Sequence, residues 1–201
     1  MAIIDFTPVR NKEKKLIDLW RDDNITIDDL RAATNESVDY LLSLIADLDD
    51  DDVTFDPEDP NANDPYAVEG EENIGWSVAH LIAHVTASSE EGAAFSSLLA
   101  RGVEGVSERP RYETPWKDIK TKAALVQRLE ESRRIRLAYL DTFPDEPHYD
   151  VYRVLSSDRS REYWGQLNAP ATFLSGLSHE VGHYQQIIDA KEQALAAKAQ
   201  A

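Results

Sequence analysis

Four of the chain's five histidines fall in two pairs at four-residue spacing, His80/His84 and His179/His183, within segments of helical periodicity. Residues i and i+4 stand roughly 6 Å apart on one helix face, so both imidazoles of a pair can reach one cation. Imidazole is the commonest metal-ligating side chain, and three histidines with an open coordination position mark a catalytic metal site rather than a structural one. The second pair reads His179-Glu180-Val181-Gly182-His183, the H-E-x-x-H pattern in which a zinc protease's glutamate activates water. A protease also needs a third ligand downstream. No histidine follows His183, Glu192 lies half a turn round the same helix, and Gln186 and Asp189 stand where the extended motif requires Gly and His. The third ligand therefore has to come from upstream, with His84 as its source, and the context argues against a protease.

Four segments of helical period must position these residues. Thr26 and Asp29 form a capping pair before residues 27–48, where Leu30, Ala33, Leu41, Leu44, Ile45 and Leu48 share a face. Residues 76–100 and 121–143 follow, and a fourth helix starts near Pro170 and runs to about residue 196. Residues 9–22 add a short leading helix, and residues 148–155 carry the single weak strand signal. Helices of this number and length predict an all-α protein built as a four-helix bundle. The connections 49–75, 101–120 and 144–169 are far longer than the usual helix–helix link of roughly 2–8 residues, so they serve as crossovers or build the rim of a site.

Helix geometry then sorts the histidines. His84 lies roughly 90° from the centre of its helix's apolar stripe and His80 roughly 130°, which makes His84 the inward candidate and His80 a rim residue or outer donor. On the fourth helix Thr172, Gly176, His179, His183, Gln186 and Ala190 form a stripe opposite Phe173, Leu177, Val181 and Tyr184. Between 171 and 188 only Glu180 is charged, as expected of a helix buried on most sides. On the third helix Ser132 and Arg136 occupy positions that the Leu125–Leu129–Leu140–Phe143 register reserves for apolar side chains. A buried guanidinium must meet a protein carboxylate or an anionic ligand, unless it snorkels to water.

At 201 residues the chain is expected to be a single domain over 1–201, with a bundle core at about 27–196. The absence of cysteine excludes a disulfide framework, a thiolate metal site and a cysteine nucleophile, and is compatible with a reducing cytoplasm. Met1 to Arg10 does not read as a signal peptide, and no apolar run is long enough for a membrane span. The net charge is −17, and residues 47–73 hold twelve acids with no Lys or Arg. Such a loop repels a phosphate backbone, so nucleic acid is not an expected partner. The run Asp49–Asp52 lacks the spacing of a calcium loop and reads as solvated acid.

The segments Trp76-Ser77-Val78-Ala79-His80-Leu81-Ile82-Ala83-His84 and His179-x3-His183-x2-Gln186 resemble the W-S-x6-H and H-x3-H-x2-Q marks of the DinB/YfiT-like metal-binding four-helix bundles, over about residues 30–190. By position, the resemblance implies His84, His179 and His183 as metal ligands and leaves His80 on a variable position. It also implies an up-down-down-up bundle, usually a homodimer, holding a zinc- or nickel-type ion, with iron also compatible with three imidazoles. Characterised relatives include thiol S-transferases using bacillithiol or mycothiol and a mycothiol-dependent isomerase. The leading expectation is a metal-dependent transferase acting on a small molecule with a low-molecular-weight thiol, Arg136 holding a substrate carboxylate. A hydrolase in which His80 or Glu180 moves protons and a non-catalytic stress-response dimer are the other two readings.

Overall fold

The computed structural model describes residues 4–63, 69–107 and 115–200; part of the acidic 47–73 stretch and the first three residues of the chain lie outside the described residues. Its regular elements are helical: α1 (Thr7–Arg10), α2 (Leu16–Asp22), α3 (Ile27–Leu44), α4 (Asp50–Thr54), α5 (Val78–Ala100), α6 (Lys122–Asp141), α7 (Asp158–Trp164), α8 (Ala169–Gly182) and α9 (Tyr184–Lys198), with a 3-10 turn at Trp116–Asp118. No strand forms among the described residues. The 148–155 segment contributes one isolated bridge, Val154 to Ser107.

The long helices begin where side chains can satisfy their first amides. Thr26 Oγ1 accepts from Asp29 N at 3.2 Å while the Asp29 carboxylate accepts from Thr26 N at 2.8 Å, a reciprocal capping box. The side chains of Ser77, Thr121 and Asn168 cap α5, α6 and α8 by accepting from an amide of the first turn, each worth about 1 kcal/mol. The Asp49–Asp52 run has a structural use that the sequence reading missed. Asp49 and Asp52 form the capping box of α4, and Lys198 of α9 bridges both carboxylates. The expected helix from 170 to 196 is two helices. At His183 (φ −93°, ψ −5°) the chain ends α8 and starts α9, directly after Gly182, which costs a helix interior about 1 kcal/mol relative to alanine.

A seam of small residues between α5 and α8 sets the register of the whole site. Ser96 Oγ donates to Ala169 O at 2.7 Å and Ser89 Oγ to Gly176 O at 3.2 Å, so one helix ascends as the other descends. A Cβ on Gly92 would stand 3.0 Å from Thr172 O, and one on Gly176 would stand 2.8 Å from Ser89 Cα. No larger residue fits at Gly176 without parting the helices. Continued one more turn, this antiparallel pairing places His84 opposite His179.

Candidate metal centre

His84, His179 and His183 converge from α5, α8 and the α8–α9 junction, with one ring nitrogen of each within 4.8 Å of the others. His179 Nε2 stands 3.2 Å from His84 Nε2 and 3.3 Å from His183 Nε2. Ligands held 2.0–2.1 Å from a tetrahedral zinc-type ion stand about 3.3–3.4 Å apart, so these spacings are those of two edges of such a site. The donor set fits the ion: three imidazoles leave one position for a substrate atom. His183 Nδ1 pairs with Gln186 Oε1 at 2.8 Å. With that oxygen as acceptor, Nδ1 carries the proton and Nε2 presents its lone pair to the cluster, the usual role of a partner behind a ligating histidine. The break after Gly182 separates His183 from the straight continuation of α8 and lets Gln186, on the first turn of α9, reach back to it.

His80 corrects the expectation of a rim residue. It is buried, stacked between the Trp76 indole (centroids 4.4 Å apart) and the Trp116 indole (4.5 Å, planes within 6°). Trp76 also lies 4.8 Å from the His84 ring and 6.2 Å from that of His183, so one indole touches both histidines of α5 and one of the junction. Nothing in the spacing of the sequence marks Trp116 as a member of this stack. Beside the triad, Trp76 and Gln186 line a cleft of about 550 Å³ whose remaining wall includes Glu58, Asp59, Asp189 and Glu192. The acidic connection is docked there: Glu58 N donates to Gln193 Oε1 at 2.9 Å and Gln193 Nε2 to Glu58 O at 3.1 Å. Gly75 permits the fold-back, since a Cβ would overlap Pro57 O.

Arg136 and Glu180 are not at the triad. Both are fully buried, and Arg136 Nη1 donates to Glu180 Oε2 at 3.2 Å. Glu180 Oε2 also accepts from Ser89 Oγ at 3.0 Å, and Oε1 accepts from Ser37 Oγ, which in turn contacts Tyr184 OH at 2.9 Å. Burial first, and the nearby Glu180 carboxylate second, push the Tyr184 phenol above its ordinary range. The sequence had posed the choice for Arg136 between a protein carboxylate and a ligand; the structure supplies the carboxylate. Ser37 could have been suspected, since it fills a core slot of the Leu30–Ala33–Leu41 face just as Ser132 does on α6.

No match was found among curated proteins or among solved structures. The family model of the DinB superfamily matches residues 33–187, which span α3 to the first turn of α9 and include all three histidines of the cluster. On that match, the chain belongs to the DinB superfamily.

Proposed function

We propose that this protein is a metal-dependent transferase acting on a small molecule with a low-molecular-weight thiol, its divalent transition ion (zinc or nickel, with iron also suited) held by His84, His179 and His183. The observation that carries the reading is the pair of Nε2 separations, 3.2 and 3.3 Å, within a superfamily that is typically metal-binding. Held by these three imidazoles, a divalent ion would supply the acidity that makes a low-molecular-weight thiol a nucleophile at neutral pH. Gln186 fixes the tautomer of His183, and Trp76 packs over His84 and His183 and shields them from water on that side. His80, clamped between two indoles one turn before His84, positions Trp76. The carboxylate-lined cleft at Gln186 and Trp76 suits a small molecule and repels a polyanion. A hydrolase relying on Glu180 as base is disfavoured, because both its oxygens already accept hydrogen bonds in the interior.

The helix arrangement proposed with this function is the up-down-down-up four-helix bundle of α3, α5, α6 and α8, assembled as a homodimer. Two sets of contacts support the topology. Glu90–Arg128 and Ser97–Thr142 advance together along α5 and α6, whereas Arg31–Asp141 and Asp39–Arg133 run in opposite senses along α3 and α6. The deciding experiment supplies purified, metal-loaded protein with bacillithiol, mycothiol and glutathione in turn, plus an electrophilic acceptor, and follows thiol consumption. Transfer with one thiol, abolished in His179→Ala, supports the enzyme. Metal binding without transfer for any thiol favours a non-catalytic metal-binding dimer.

A further inference from the structure

On the side of α8–α9 away from the histidines, a cavity of about 400 Å³ opens between α1, α3 and the helix junction. Leu177 and Val181, two residues before and after His179, lie about 160° round the helix from it, so the cavity and the triad are on opposite faces. Its walls are apolar and aromatic: Phe6, Ala33, Tyr40, Leu177, Val181 and Tyr184, with the two tyrosine rings 4.7 Å apart. Asp5, Arg10 and Glu36 at its edge carry mixed signs and select no ligand charge. A volume of this size with a few polar groups set in apolar walls is the usual form of a small-molecule site.

The polar groups in the wall define what such a molecule must offer. Ser37 Oγ donates its single proton to Glu180 Oε1. In the 2.9 Å contact between Ser37 Oγ and Tyr184 OH, the phenol is then the donor. Both hydroxyl protons are thereby engaged, and both oxygens keep acceptor capacity. We propose that the cavity is a second binding site, for a flat aromatic molecule carrying a hydroxyl or amino group that donates to this Tyr184–Ser37 oxygen pair. A ligand of the same shape with only acceptor atoms finds no donor at this pair, so recognition by it turns on the ligand's proton.

The test uses the full chain, metal-stripped and metal-loaded, titrated with 2-naphthol and with 2-methoxynaphthalene, which keeps the ring system and lacks the donor. Calorimetry should show saturable binding of 2-naphthol, about three- to tenfold tighter than the ether, the range of one net hydrogen bond. Ala33→Trp and, independently, Val181→Phe should weaken it by about tenfold or more by filling the cavity. Tyr184→Phe should bring the two ligands to similar affinity. His84→Ala, which disables only the proposed metal site, should leave 2-naphthol binding unchanged, so the two proposals fail separately. No saturable binding of 2-naphthol, equal affinity for the two ligands in the unaltered protein, or binding indifferent to both cavity-filling variants would each overturn the proposal.

Discussion

α8 and α9 carry two polar clusters on neighbouring faces, and they differ in what meets their acceptors. On one face Glu180 accepts from Arg136, Ser89 and Ser37, and Ser37 meets Tyr184, so both carboxylate oxygens meet donors in the interior. On the other face three imidazole nitrogens point at one another at separations suited to ligands around a common ion. The carboxylate of the first cluster is satisfied by the protein's own donors. The second gains its chemical sense from a cation. Proximity of polar side chains is common to both, so what distinguishes a fold device from a binding centre is whether acceptors face donors or face one another.

The sharpest way to break the contrast is to remove one histidine. His84→Ala, His179→Ala and His183→Ala should each reduce bound metal to near zero after dialysis, read by elemental analysis, because each leaves two protein ligands. In the unaltered protein a chelator should lower the unfolding midpoint, since an ion that binds only the folded state at 100 times its Kd adds about 2.7 kcal/mol. In His179→Ala the chelator should have no effect. Retention of stoichiometric metal in any of the three variants would break the assignment.

The next largest effect belongs to the Glu180 cluster. Arg136→Met strands a buried carboxylate and should cost about 3–5 kcal/mol in urea unfolding of the metal-free protein, while the folded fraction keeps its metal. Adding Glu180→Leu should recover much of that loss, because an apolar pair of similar volume replaces a buried ion pair at little net cost. Glu180→Gln alone should leave metal content unchanged, and a generic peptide library should stay uncleaved by either protein. A metal-dependent peptidase lost on Glu180→Gln would place Glu180 at the reaction after all.

Much of this arrangement was legible in residue spacing. The His80/His84 and His179/His183 pairs, the Thr26–Asp29 box and the out-of-pattern Arg136 each carry a period or a cap that helix geometry reads directly. Contacts between elements distant in sequence were not legible. Nothing in α8 alone says that Glu180 turns to Arg136 while its neighbour His179 turns to His84, because a 100° step per residue permits either face to be inside when the helix has no charged side. The stacking of Trp116 on His80 likewise depends on tertiary packing that no local pattern encodes.

A smaller effect tests the seam that holds both faces in place. Gly176→Ala puts a methyl 2.8 Å from Ser89 Cα, a backbone atom that cannot swing aside, so α5 and α8 must part. Overpacking of this kind costs about 1–3 kcal/mol. Because the seam also sets His84 opposite His179, metal affinity should fall along with stability. Gly182→Ala, with open space around its Cβ, should lower neither. Equal behaviour of the two variants would show that the seam does not position the site.

The smallest expected effect on bound metal, and the one that separates a ligand from its neighbour, is that of His80→Ala. Its ring lies face to face with two indoles and is one helical turn from His84, so it is close to the cluster without belonging to it. Removing it deletes two aromatic contacts worth about 0.5–1.5 kcal/mol each beyond area burial. Trp76 and Trp116 are then no longer held apart by a filled slot, and tryptophan fluorescence should change in intensity and wavelength. Bound metal should stay near the unaltered level, because His84, His179 and His183 are intact. His80→Phe should restore the stack and the fluorescence, since stacking needs a flat ring and no nitrogen. If His80→Phe instead loses metal as His84→Ala does, His80 is a ligand, and α5 presents the other histidine of its pair to the ion.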